Sequence, residues 1–235
     1  MNLSLKRIVL LIIALYIVLA YILLPYLWHY YFEDQNELYS YSLRTHTKQG
    51  IPGGPINISM IGSRDELIDA MHAAGWHLAK PITITSSLGI ISSVLFNLSD
   101  KNAPVSPLYF DGRPEDLAFE KLVGLSAAQR HHVRFWFVPN NDNKQWFGSA
   151  TFDQGVEFSR YTGQITHQIA SNVDAERDYL VNDLASIGVV KIPYGIKKVE
   201  PVHAGYNGEG NFFYTDGKII ILEFMSKPSM QGSTN

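Results

Sequence analysis

The hydrophobic pattern separates an unbroken apolar segment near the start of the chain from a longer stretch of mixed character. Residues 8–28, IVLLIIALYIVLAYILLPYLW, contain no charged residue. About 20 such residues suffice to cross the hydrocarbon core of a bilayer as a helix. Tyr26, Trp28 and Tyr30 cluster at its far end, where aromatic rings favour the membrane–water interface. The pattern therefore predicts one N-terminal transmembrane helix over residues 8–28.

The charges on either side of this segment predict its orientation. Lys6 and Arg7 precede it, whereas Glu33 and Asp34 are the first charged residues after it. The positive-inside tendency then makes residues 1–7 a cytoplasmic tail and places the main domain outside, in the periplasm at a bacterial inner (plasma) membrane. A cleaved signal peptide is the alternative, but its apolar region would be shorter and would end at a small-x-small site, which LPYL lacks. We favour an uncleaved anchor.

The remaining chain predicts one folded domain between two irregular segments. Residues 29–55 are polar and end in QGIPGGP, which predicts a stalk and linker. The domain is expected over residues 56–226, with a flexible tail at 227–235. INISMIG predicts a strand, and SRDELIDAMHAAG predicts a helix because Ser63 and Glu66 have the spacing of a capping box. Gly75 stands where a left-handed residue ends a helix.

From residue 132 onward the hydrophobic period becomes two. HVRFWFV and QWFGSATF flank the turn-forming PNNDNK and predict an antiparallel hairpin. Residues 104–124 predict a strand, a tight turn and then a short helix or strand. Two further helices are predicted, over 86–97 and 174–188, and five further strands: VEFSRY, ITHQIA, VVKIPYGIKKV, GNFFY and KIIILEF. The sum is an α+β fold, a mainly antiparallel sheet with packed helices.

Composition excludes several functions. The chain of 235 residues has no cysteine, so disulfides, thiolate metal sites and thiol nucleophiles are ruled out. A net charge of −3 without a long basic run argues against nucleic-acid binding. No P-loop, dinucleotide fingerprint, G-x-S-x-G or H-E-x-x-H motif occurs. No metal site is predicted and the cofactor is unknown.

The run RHHVRFWFV, residues 130–138, holds the strongest candidate site. Side chains in a strand alternate faces, so three apolar residues belong in the core: Val133, Phe135 and Phe137. An aromatic and cationic row lies opposite: His132, Arg134 and Trp136. This row could bind an anionic or planar ligand, or it could be a sheet face that is exposed or covered by a helix. His131 would point away from His132, so only one of them shares that side.

Two more segments present polar groups. His167 lies on an apolar strand face, which is typical of a buried, hydrogen-bonded histidine, and it becomes functional only if it meets His132. The turn in DGRPEDLAFEK gathers Arg113 and several carboxylates, which could bind a hard metal or act as a general base. Turns of this composition are also common structural connections, and for Asp111 and Pro114 we favour that interpretation.

Arg177 falls on the inner face of the helix predicted over 174–188, three residues after Asp174. A buried arginine needs an anionic partner. We favour an internal salt bridge, and the carboxylates considered as partners are Asp153, Asp111, Asp116 and Glu120. The alternative is an arginine aimed at a bound phosphate or carboxylate near the helix N-terminus.

Five segments resemble successive motifs of the LssY C-terminal domain family, over about residues 57–190: GSRDELIDAMHAAGW, PLYFDGRPEDLAFEK, RHHVRFWFV, WFGSATFD and THQIASNVDAERDYL. The resemblance implies a bacterial, envelope-associated domain of uncharacterised biochemistry. Similar domains are joined to membrane segments, including phosphatidic-acid-phosphatase-like and DedA-like modules, and the family name suggests a link to type I secretion. This chain has a single span and no phosphatase motif, and the family offers no established catalytic residues.

Three functions remain open. The first is a single-pass, membrane-anchored extracytoplasmic domain that binds an envelope protein partner or an anionic small molecule. The second is a hydrolase acting on a phosphoester or lipid-derived substrate, with His132 or His167 as general base or metal ligand and Asp174 or Asp116 orienting a histidine. In the hydrolase, Arg134 and Arg177 would hold the substrate anion. The candidate ligand-binding residues as a whole are Arg113, Arg134, Trp136 and Arg177. The third, a structural component of a secretion complex, requires no polar pocket.

Overall fold

A computed structural model describes residues 4–32, 43–79, 107–124, 126–140, 143–198 and 203–225. The helix predicted over 86–97 and the tail predicted over 227–235 lie outside these ranges.

The N-terminal apolar segment is helical. Helix α1 is Leu5–Val18, a π-helical turn follows at Leu19–Leu23, and α2 is Leu24–Phe32. By length and composition, Leu5–Trp28 could cross a membrane. Its 24 residues extend about 36 Å at a rise of about 1.5 Å each, slightly more than the hydrocarbon thickness of about 30 Å. The predicted apolar helix is confirmed.

The remaining elements follow in chain order. The first half comprises β1 Arg44–His46, β2 Pro52–Pro55, β3 Ile58–Ile61, α3 Arg64–Ala73, β4 His77–Leu78, β5 Tyr109–Phe110, β6 Arg113–Pro114 and β7 Leu117–Val123. The second half comprises β8 Ser126–Asn140, β9 Asn143–Phe158, β10 Ile165–Ile169, α4 Val173–Ser186, β11 Val190–Lys198, β12 His203–Tyr206, β13 Phe212–Thr215 and β14 Lys218–Phe224.

Within the described ranges the main sheet has eight strands, in the order β11-β14-β3-β9-β8-β7-β4, with β10 also paired to β9. Its β14–β3 pair is parallel and its other described pairs are antiparallel. A smaller sheet has the order β2-β1-β5-β6, and β12 pairs with β13 as a separate ribbon. The predicted α+β class, with a mainly antiparallel sheet, is confirmed.

The predicted hairpin is the centre of the main sheet. Strands β8 and β9 pair from Arg130↔Asp153 to Asn140↔Asn143. Strand β9 continues to Phe158, so VEFSRY begins as part of this strand. Residues 117–123 form a strand, which decides between the two predicted alternatives. Two strands, β1 and β2, lie inside the range predicted as stalk and linker. Because they pair with each other in the smaller sheet, residues 44–55 belong to the folded part.

Helices α3 and α4 cover one face of the main sheet. Their apolar side chains pack against Val133 and Phe135, which are fully buried. Gly148 of β9 permits this packing, since a Cβ there would lie 2.6 Å from Ile58 and 2.7 Å from Phe135. On the opposite face Trp136 packs in a second apolar cluster with Ile56 and Ile219, beside residues of the smaller sheet.

The helix ends are capped by side chains. Ser63 Oγ accepts a hydrogen bond from the Glu66 amide and Glu66 accepts one from the Ser63 amide, which is the predicted capping box. Helix α4 begins at Val173, one residue before the predicted start, and its N-cap is Asn172. Asn172 takes this role because its side chain accepts from the Ala175 amide at 3.1 Å.

Candidate functional site

The polar residues of strand β8 lie on both faces of the main sheet. His131 points towards α4, where its Nδ1 lies 2.8 Å from Glu176 Oε2 and its ring stacks on Tyr179 with centroids 4.0 Å apart. Arg130 and His132 lie on the opposite face. The expectation that the adjacent histidines do not share a side is confirmed.

The register of three strands brings charged residues together on that opposite face. Glu120 of β7 lies across from His132, and Asp153 of β9 lies across from Arg130. His167 reaches the same place from β10. We call the group the buried polar cluster, which consists of Glu120, Arg130, His132, Asp153 and His167.

Arg130 is the most enclosed member of the buried polar cluster, at 1% exposure. Its Nη1 lies 3.1 Å from Glu120 Oε2 and its Nε lies 3.7 Å from Asp153 Oδ2. Its Nη2 lies 3.0 Å from His167 Nε2. Such contacts are required, because a buried guanidinium without carboxylate partners would be strongly destabilising.

The two predicted histidines meet around one carboxylate. His132 Nδ1 lies 3.0 Å from Asp153 Oδ2, and His167 Nδ1 lies 3.9 Å from the same oxygen. The two rings are 6.3 Å apart between centroids. The side chain of His132 is 4% exposed, whereas that of His167 is 29% exposed and forms the solvent-facing edge of the buried polar cluster.

Burial lowers the pKa of His167 to about 4; Asp153 opposes this shift and Arg130 adds to it. The imidazole is therefore neutral at neutral pH. Its Nε2 accepts the hydrogen bond from Arg130, which assigns the proton to Nδ1, on the side of Asp153. Burial raises the pKa of Asp153, but His132, His167 and Arg130 outweigh burial and hold it well below its ordinary value.

Arg134 and Trp136 occupy the same face of β8 without forming an open ligand surface. Arg134 Nε lies 3.8 Å from Glu115 Oε1, and burial lowers the pKa of Arg134 against the attraction of Glu115. Trp136 is fully buried, and its indole N–H donates to the Arg113 carbonyl at 3.2 Å. The interpretation of this row as an exposed face does not hold for Trp136, because the smaller sheet supplies apolar side chains that cover it.

Arg113 is the first residue of β6, directly after the turn at Asp111 and Gly112. Its Nη1 lies 3.1 Å from Asp116 Oδ2, with both side chains partly exposed, and its Nη2 donates to the Phe137 carbonyl. Asp116 also accepts from the Phe137 amide at 2.7 Å. Asp111 and Gly112 both have positive φ, as the tight turn between β5 and β6 requires. The contacts of Arg113 and Asp116 attach this segment to β8, and the positive φ of Asp111 fits the structural interpretation favoured for Asp111 and Pro114.

Arg177 is buried in an internal salt-bridge network, the interpretation that we favour. Asp174, three residues earlier, lies beside it as its spacing predicts, and the other partners differ from those considered. Its Nη1 lies 2.9 Å from Asp216 and 3.2 Å from Asp174, and its Nε lies 2.8 Å from Asp178. The four partners considered from the sequence are thus corrected. The reason is that the turn between β13 and β14 folds over the start of α4, where Asp174 also accepts from the Asp216 amide at 2.6 Å.

The predicted residues thus divide between separate places. His132 and His167 lie together in the buried polar cluster, while Asp174 and Arg177 lie in the α4 network. The first group lies where β7, β8, β9 and β10 meet, and the second lies where the turn after β13 meets the start of α4. Sequence reasoning missed Arg130 and Asp153 as members of the site. Arg130 could have been found, because it lies two residues before His132 in the same strand and therefore on the same face.

The buried polar cluster suits a proton or cation better than an anion. Glu120 and Asp153 contribute two negative charges and Arg130 one positive charge, so their sum is −1 when both histidines are neutral. Among the described residues, no group of three or more His, Cys, Asp or Glu side chains is arranged to hold a metal ion. The contacts of His132 and His167 with Asp153 permit proton exchange between an imidazole and a carboxylate.

The family model described as LssY C-terminus matches residues 35–219. This range covers most of the chain and includes every strand of the buried polar cluster. No curated protein and no solved structure matches the chain.

We expect His167→Gln to reduce the pH dependence of stability. The native pKa of about 4 lies below the unfolded value of about 6.5, so between these values the unfolded chain binds more protons. The free energy of unfolding therefore rises with pH across this window and falls on acidification. Urea unfolding of both proteins in detergent micelles, from about pH 7 to 4, measures the slope. An unchanged slope in the variant would show that His167 is not held neutral.

Proposed function

Since the chain belongs to the LssY C-terminus family, we propose that it is a single-pass membrane-anchored domain that binds a partner in the bacterial cell envelope. In this proposal residues 1–7 are cytoplasmic and the folded part lies outside the inner membrane, in a setting compatible with a secretion system. The N-terminal helix is the observation that carries the proposal.

The side chains of that helix suit a lipid environment. Ile8, Leu11, Ile12 and Leu15 are all exposed, and exposed apolar side chains in this number are costly in water. Lys6 and Arg7 precede the apolar stretch, and such residues favour the cytoplasmic side. The helix therefore supports an anchor, and its flanking charges support the orientation.

The charge of the buried polar cluster favours a macromolecular partner over an anionic small molecule. Arg130 already lies against Glu120 and Asp153, and Arg134 lies against Glu115. An incoming phosphate or carboxylate would have to displace these carboxylates, of which Glu120 and Asp153 are buried. An envelope protein can instead bind an outer surface of the domain without disturbing the cluster.

Cysteine accessibility tests the proposed orientation. Because the chain has no cysteine, Asn182→Cys and Ser4→Cys each introduce one thiol, at exposed positions of α4 and of the N-terminus. In intact cells with a permeable outer membrane, a maleimide that cannot cross the inner membrane should label Asn182→Cys and spare Ser4→Cys. Labelling of both after lysis is the control, and the opposite pattern in intact cells would contradict the orientation.

One observation favours a hydrolase as the second candidate. Asp153 lies 3.0 Å from His132 Nδ1, and a carboxylate that orients an imidazole is a common general-base arrangement. His167 is neutral at neutral pH and partly exposed, so a phosphoester or lipid-derived substrate could approach it. Asp153, instead of Asp174 or Asp116, would orient the two histidines, since both lie beside its Oδ2. Arg130 would have to release His167 Nε2 for that nitrogen to act as the base.

Inorganic phosphate distinguishes the two candidates. A ligand at 100 times its dissociation constant stabilises a fold by about 2.7 kcal/mol. For a hydrolase of phosphoesters, excess phosphate should raise the melting temperature of the full chain in micelles and should do so less for His167→Gln. We expect no shift for either protein, with sodium chloride at equal ionic strength as control. A shift in the wild type alone would favour the hydrolase.

A further inference from the structure

Three aromatic side chains form a continuous exposed surface on the β12–β13 ribbon. Tyr206, Phe212 and Tyr214 are 48%, 43% and 42% exposed. The rings of Tyr206 and Phe212 lie 5.6 Å apart between centroids, and those of Phe212 and Tyr214 lie 6.5 Å apart. Phe213, between them, is fully buried on the other side of the ribbon. We call the three exposed residues the aromatic patch.

The tip of the ribbon lies beside the end of the apolar helix. The Gly208 amide donates to the Pro52 carbonyl at 2.8 Å, and a Cβ on Gly208 would overlap the Ile51 side chain. Ile51 in turn packs with Trp28, which is 1% exposed, and with Tyr161. Only one residue separates Gly208 from Tyr206, so the aromatic patch begins close to the last turn of the apolar stretch.

A second set of contacts leads to the same helix. Asn211, which precedes Phe212, donates to Glu157 at 2.6 Å. The next residue, Phe158, is 66% exposed and pairs with Ile165. The Ile165 amide donates to the Tyr21 hydroxyl of the helix at 3.2 Å. The aromatic patch is thus connected to the helix by two routes. One passes through Pro52 and Ile51 to Trp28, and the other passes through β9 and β10 to Tyr21.

These contacts hold the domain close to the bilayer if the helix spans it. Tyr21 precedes Trp28 by seven residues, or about 10 Å along the axis. A domain attached at both positions lies against the outer part of the span instead of standing away from the membrane. Tyr16 donates to the Gly163 carbonyl at 2.9 Å, about 18 Å from Trp28 along the axis. In a bilayer this contact has to open, because irregular polar backbone is unstable in hydrocarbon. The placement of the domain therefore rests on the contacts nearer Trp28.

We propose that the aromatic patch lies in the lipid headgroup layer and that the bilayer which holds the helix is its partner. The inference rests on the proposed function, since it requires a spanning helix. Tyrosine and phenylalanine bury their rings favourably at this level, and tyrosine keeps its hydroxyl in contact with water and headgroups. Exposed Arg160, whose amide donates to the Glu209 carbonyl at 3.2 Å, lies beside the ribbon tip and can reach lipid phosphates.

Spin labels on single cysteines test this placement. The full chain is reconstituted in vesicles of phosphatidylcholine and phosphatidylglycerol, with a nitroxide on Phe212→Cys or Tyr214→Cys. Ile196→Cys is the matched control, since Ile196 is an apolar residue of β11 with 58% exposure. We expect the two patch labels to collide more often with oxygen, and less often with a water-soluble nickel chelate, than the control label.

Patch labels as accessible to nickel as the label at Ile196→Cys would overturn the inference. A label at Ile12→Cys, within the apolar helix, tests the anchor separately. If the Ile12 label is in hydrocarbon while the patch labels are in water, the anchor stands and the placement of the aromatic patch fails. If the Ile12 label is itself in water, the proposed anchor fails, and the inference fails with it.

Discussion

The buried guanidinium of Arg130 is the constraint on which the rest of the main sheet depends. Its contacts with Glu120, Asp153 and His167 join strands β7, β9 and β10 to β8. A slip of one residue in β8 would turn Arg130 towards the apolar side under α4, because strand side chains alternate. The charges therefore specify the register that also directs Val133 into the core.

Local patterns in the sequence predicted the features that depend on neighbouring residues. The period of two predicted which side of β8 enters the core, and the spacing of Ser63 and Glu66 predicted a capping box. Pairings between distant segments were beyond these patterns. The partners of Arg177 include Asp216, which reaches α4 through a turn far along the chain. Residues 44–55 resemble a linker in sequence because the segment is polar and ends in QGIPGGP, although it pairs within the smaller sheet.

The interior chemistry and the outer surface suggest different roles. The buried polar cluster is charge-paired, and His167 is its partly exposed edge, so it contributes chiefly to the architecture and to the response of the fold to acid. The outer surface offers the apolar helix and the aromatic patch, which lie close together. In our account, the domain works at the membrane surface, and the same alternation of strand faces that buries Phe213 exposes Phe212 and Tyr214.

A double-mutant cycle between Arg130 and Glu120 tests the central claim most directly. Arg130→Met, Glu120→Gln and the double variant are compared with the wild type by urea unfolding in micelles. Removal of one partner of a buried pair costs about 3–5 kcal/mol, and we predict that the double variant loses less than the sum of the single losses by more than about 1 kcal/mol. Additivity within about 0.5 kcal/mol would contradict the claim that this ion pair organises the sheet.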